Sequence, residues 1–158
     1  MHQQVTVDID APVEHVFPII ADLSRYPQLL DVVHRVESAD SNAQDGSSDS
    51  SDSDDPVWLI TLRTQIGPLA RSKRLRVVRT VHQPLAEAIF ERQETDDRHH
   101  SLWTLSTTLE PLSDGQRTQV TMALHYGGRL WTSLLDGVLE AQIHQATANL
   151  ERLALAQG

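Results

Sequence analysis

The two ends of the chain constrain its fold more than anything between them. Near the start, Val5, Val7 and Ile9 alternate with Thr6 and Asp8, the pattern of a half-buried strand. The sequence Ile9-Asp10-Ala11-Pro12-Val13-Glu14-His15-Val16-Phe17 then changes period, and Val13, Val16, Phe17 and Ile20 form one helical stripe. At the other end, Gly127-Gly128 opens an amphipathic helix expected from Leu130 to Ala156. Leu135, Leu139, Ile143, Ala146, Leu150 and Leu153 recur there at steps of three and four, and Trp131, Leu134, Val138 and Ala141 widen the stripe. A helix with so broad an apolar side faces a curved sheet along its length, not one flat neighbour.

The middle of the chain supplies that sheet. Asp10 or Ala11 is expected to cap the first helix, with Pro12 in its first turn and Glu14 behind it. Pro18 removes a backbone donor, which predicts a kink or an early end. A second short helix or turn begins at Asp22-Leu23-Ser24, and Tyr26-Pro27 bends the chain again. Leu29, Leu30, Val32 and Val33 lead into a second strand through Val36. Strands follow from Trp58 to Ile66, over residues 70–82, from Ala88 to Gln93, from Trp103 to Leu109 and through Val120 to Tyr126. Gly67-Pro68, Gln83-Pro84 and Ser113-Asp114-Gly115 mark turns between them.

Residues 39–55 form a Ser/Asp tract with almost nothing to bury, which predicts a disordered acidic loop inserted between strands. Deleting residues 40–54 is expected to leave the fold intact. Six of the nine net negative charges sit in residues 40–55, so the rest of the chain carries only −3. That balance gives no support to nucleic-acid binding. The length of 158 residues fits a single domain spanning 1–158. No apolar run approaches the ~20 residues needed to cross a bilayer. The first residues lack the features of a signal peptide, so the expected location is cytoplasmic. There is no cysteine, which excludes disulfides and thiolate chemistry.

The Asp-Ala-Pro-x-Glu-x-Val-Phe opening at residues 10–17 resembles the START-like superfamily, which includes the polyketide cyclase/dehydrase and lipid-transport type. So does the Asp22-x-x-x-Tyr26-Pro27 step. Trp103, the Asp-Gly turn before the Val120/Tyr126 strand and the long last helix fit the same pattern. The resemblance covers nearly the whole chain. It implies an α+β helix-grip fold: about seven antiparallel strands curved around the C-terminal helix, with two short helices after the first strand. It also implies an internal cavity for a hydrophobic ligand, while its members differ widely in function. Tyr26-Pro27-Gln28-Leu29-Leu30 lacks the Phe-Leu-Pro-Trp continuation of the coenzyme-Q-binding group, which argues against a quinone.

Residues expected to line such a cavity are Trp58, Ile60, Leu62, Phe90, Trp103, Leu105, Met122, Leu124 and Tyr126 on strand faces, with Leu134 and Val138 on the helix. The loops near Tyr26 and Gly67 would gate entry, with Gly128 and Gly137 easing the start and close approach of the helix. Without a cavity, the same residues make a filled core. For acid/base chemistry the candidates are Tyr126, His125 and Arg76, with Glu110 as a further carboxylate. Alternation on strand 70–82 sends Arg71, Lys73 and Arg79 to one face and Arg74 and Arg76 to the other, without saying which face is inward. An inward arginine would hold a carboxylate or polarise a carbonyl; an outward one is a solvated charge. His82 and His125 lie on different strands and could meet, but no spacing in the chain defines a metal site, and no cofactor is called for.

Three readings follow. The first is carriage or sensing of a lipid, isoprenoid or aromatic polyketide. The second is a cyclase or dehydratase using acid/base groups in the cavity. The third is a protein-interaction module with a filled core. None of them calls for stable membrane insertion or nucleic acid. A surface apolar patch would also serve a homodimer.

Overall fold

The computed structural model describes residues 2–38, 56–66, 68–95, 98–127 and 133–156. Strand β1 (His2–Ile9) leads into helix α1 (Val13–Ile20) and a 3-10 helix (Leu23–Gln28). Strands β2 (Val33–Ser38), β3 (Val57–Ile66), β4 (Leu69–Gln83), β5 (Glu87–Arg92), β6 (Trp103–Leu112) and β7 (Arg117–Tyr126) follow, and helix α2 (Ser133–Ala156) closes the chain. The expected acidic loop, Gly67, Gly128 and the opening residues of the last helix lie outside the described residues.

All seven strands join one antiparallel sheet in the order β1-β7-β6-β5-β4-β3-β2. The chain therefore runs as a meander from β2 to β7, and β1 pairs back onto β7. The long strands show the period of two that builds a half-buried sheet. On β7, Thr118, Val120, Met122, Leu124 and Tyr126 are buried. On β6, Trp103, Leu105, Thr107 and Leu109 are buried. Register shifts between Arg79 and Val81 and between Val33 and Arg35 bend the β2–β4 side.

Helix α2 lies on the concave face, packed against β1, β7 and α1. Its described half buries Ile143, Ala146, Leu150 and Ala154, with Thr147 beside them. This is the helix-grip arrangement expected from the sequence.

Two local expectations are corrected. The N-cap of α1 is Pro12, in extended conformation with no side-chain cap bond, not Asp10 or Ala11. Asp10 instead faces Arg117 at 3.8 Å, and its backbone N–H donates to Glu151 Oε2 at 3.3 Å. The helix ends at Ile20, two residues past Pro18, in keeping with the early end expected there. Tyr26-Pro27 is not a bend after a helix but part of the 3-10 helix, which Asp22 caps by accepting from the Ser24 N–H at 3.0 Å.

Candidate ligand cleft

The inner surface of the sheet divides into two parts. Under the 3-10 helix, aromatic side chains interlock. Tyr26 meets Phe90 edge-on with centroids 5.6 Å apart, and Phe90 meets Trp58 edge-on at 5.5 Å. Arg79 lies over the Trp58 ring, 6.0 Å from its centroid, and its Nη1 donates to the Ala21 carbonyl at 2.8 Å. The Tyr26 hydroxyl donates to the Ile20 carbonyl at 2.8 Å. Burial pushes the Tyr26 phenol well above its ordinary pKa, so it stays a neutral donor. At the edge of this cluster Phe17 packs on His82 at 5.2 Å, and burial, then Arg79, lowers the His82 pKa.

The other part holds open space. A cleft with a volume of about 20 Å³ is lined by Leu30, Val32, Val33, Leu62, Trp103, Leu124, Tyr126, Gln142 and Ile143. That is room for about one water. Three walls meet here: the segment entering β2, the Leu62 end of β3, and the Trp103–Tyr126 pair that faces across β6 and β7. Helix α2 covers it. Two side-chain amide hydrogen bonds join the helix to the segment entering β2. Gln142 Oε1 accepts from the Val32 N–H at 3.2 Å, and Asn149 Nδ2 donates to the Leu29 carbonyl at 3.1 Å. The two amides are seven residues apart, two helical turns, so they share one face of α2.

A polar cluster borders this cleft on the inner face. Lys73 pairs across β3–β4 with Leu62, a cleft residue, and so shares its side of the sheet. Arg92 shares that side too, because it lies opposite the fully buried Val77. The Arg92 side chain is only 7% exposed. Its Nε pairs with Glu94 Oε1 at 3.0 Å, its Nη1 donates to the Ser101 carbonyl at 3.3 Å, and its Nη2 lies 3.0 Å from His100 Nδ1. Ser101 is two residues before Trp103. The Lys73 pKa is lowered by burial, then by the charge of Arg92, with Glu94 opposing.

The structure treats the sequence-based candidates unequally. It brings Leu62, Trp103, Leu124 and Tyr126 together along the cleft. Trp58, Ile60, Phe90, Leu105 and Met122 are buried in the packed part of the core, away from the cleft lining. The side chains of Leu134 and Val138 lie outside the described residues. Two acid/base candidates need correction. Arg76 points outward, its Nη1 donating to the Gln93 carbonyl at 2.7 Å. His125 is exposed on the outer face of β7, ring to ring with His2 at 5.4 Å, so it does not meet His82. Glu110 is exposed as well. Tyr26 itself is fully buried. On β4 the inward face is the one carrying Lys73 and Arg79, and Arg74 pairs outside with Glu37 at 3.2 Å. Among the described residues no group of three or more His, Asp or Glu side chains is placed to hold a metal ion.

Sequence reasoning missed Arg92, Gln142 and the Leu30–Val33 wall. Arg92 could have been found, since it shares the parity of Ala88 and Phe90 on β5.

With this geometry in place, the comparisons with known proteins are specific. The chain belongs to the polyketide cyclase / dehydrase and lipid transport family, which it matches over residues 2–156. No curated protein matches it in sequence. Among solved structures it is similar to the protein TTHA0849 from Thermus thermophilus, at 19% identity and a TM-score of 0.71, covering 100% of this chain and 99% of that one. A START superfamily protein from Mycobacterium smegmatis is 14% identical with a TM-score of 0.66, covering 99% of each chain. The Zhui aromatase/cyclase from Streptomyces sp. R1128 is 16% identical with a TM-score of 0.58, covering 99% of this chain and 92% of that one. At these identities the likeness is one of fold.

Proposed function

We propose that the protein binds a hydrophobic small molecule, such as a lipid, an isoprenoid or an aromatic polyketide, between helix α2 and the β2–β3 side of the sheet. The observation that carries this reading is the cleft. Eight of its nine lining residues are apolar or aromatic, and the ninth, Gln142, is an amide that already bridges the two walls. Small-molecule sites of this kind combine an apolar lining with a few placed polar groups.

The space present, about 20 Å³, is far below the ~300–1,000 Å³ of ligand pockets. Binding therefore requires α2 and the Leu30–Val33 wall to part. Two amide bonds oppose that separation, each contributing about 0.5–1.5 kcal/mol. Part of the ligand's burial energy offsets them.

Native mass spectrometry of protein purified gently from its own cells tests the reading. A retained apolar molecule supports it and names its class. A clean apo mass, together with no binding of the fluorescent methyl ester of cis-parinaric acid, sinks it and leaves the interaction module.

A second reading has a specific observation behind it. Lys73 and Arg92 place positive charge on the inner face beside the cleft, where it would stabilise an enolate oxygen during an aldol-type cyclisation. Incubation with a poly-β-ketone thioester, followed by product analysis, separates a cyclase from a carrier.

A further inference from the structure

We infer that the ligand of the cleft is an acid: its apolar body lies between α2 and Trp103, and its carboxylate is held by Lys73, with Arg92 behind it. This rests on the cleft being the ligand site and adds the chemical class of what enters.

Four observations carry it. Lys73 is the only lysine in the chain, and it sits on the inner face opposite the cleft residue Leu62. Among the described residues no carboxylate forms an ion pair with it. Arg92, by contrast, is held by Glu94, Ser101 and His100, which fix its positive charge in place. Among the described residues, two cations and one carboxylate leave this corner with one positive charge in excess. The Lys73 pKa is lowered by burial first and then by Arg92, with Glu94 opposing. A half-buried ammonium in that state gains most from a ligand carboxylate, which replaces lost hydration with a charge-assisted hydrogen bond.

Arg74, the next residue on this interior strand, points outward toward Glu37. Lys73 instead takes the same parity as Leu75 and Val77, both buried.

The single lysine makes the test direct. Reductive methylation with 13C-formaldehyde leaves the charge in place and labels Lys73 and the N-terminal amine, whose NMR signals are distinct. Titration uses cis-parinaric acid and its methyl ester, the same body with and without the charge. The expected result is tighter binding of the acid by about tenfold, with a shift of the Lys73 methyl signal by the acid alone and an upward move in its pKa. Lys73→Met removes the preference for acid over ester, and Lys73→Arg keeps it. If acid and ester bind equally and the Lys73 signal does not respond, the acid inference is overturned while the cleft remains a ligand site. If neither binds, both fall. If Lys73→Met lowers thermal stability and leaves the acid preference intact, the residue is structural and the inference is wrong.

Discussion

The two parts of the inner sheet surface share the same alternation, yet one is filled and the other is not. At the filled end, Tyr26, Phe90 and Trp58 meet edge to face, and the 3-10 helix drives Tyr26 down onto them. At the other end Trp103 and Tyr126 stand side by side across β6 and β7, and α2 approaches them through amide bonds to the Leu29–Val32 backbone. The difference lies in what covers each part. An aromatic knob fills a concave surface, whereas a straight helix spans it and leaves space. The edge-to-face ring contacts lie at one end and the small open space at the other.

Mutations should separate the two ends. The largest effect is expected from Phe90→Ala, which removes the central ring of the aromatic stack. It should cost about 3–5 kcal/mol in chemical denaturation and leave little folded protein for ligand studies. If it proves mild, the filled end is looser than its geometry.

Trp103→Ala should give the reverse balance. Its ring borders existing space, so fewer contacts are lost, and the stability cost should fall below that of Phe90→Ala. Ligand affinity should drop more than about tenfold by fluorescence titration. Equal damage to folding and binding would make Trp103 plain core.

Gln142→Ala should be smaller again, about 0.5–1.5 kcal/mol in stability. It removes one of the two amide bonds between α2 and the β2 segment, so ligand association should quicken in stopped-flow measurements. A slower association would mean that Gln142 contacts the ligand itself.

The smallest effect is one of pH. Lys73 is charged below its pKa, and that pKa is lowered from 10.5. Affinity for an acid should therefore fade as pH rises into the alkaline range, at a lower pH than an ordinary lysine would give. Ester binding should stay flat across the same titration, and a matching loss for the ester would point to the fold instead.

Much of the framework was legible in the chain. The alternation on β3, β6 and β7 and the stripe on α2 specify strands and helix because burial on one face leaves that period in the sequence. The cap of α1 was misread, because Asp10 and Ala11 look like capping positions while Pro12, already extended, occupies the junction. The inward arginine was missed for a related reason. Glu91-Arg92 at the end of a short strand reads as solvent, yet strand parity places Arg92 inside, and Glu94, Ser101 and His100 satisfy it there. Those partners come from outside its strand, and no local pattern announces them.

By itself, then, the sequence determined the elements, their order and their apolar faces, since these depend on periodicity within a few residues. It also determined that Lys73 and Arg79 share a face of β4 and that Arg76 does not. Only the tertiary structure decided which of those faces is inward and which aromatic residues pack against one another. It alone placed the open space at the Trp103 end, where α2 meets the β2 segment. Those outcomes depend on distances between residues far apart in the chain, set by the curvature of the sheet and the line of the helix across it.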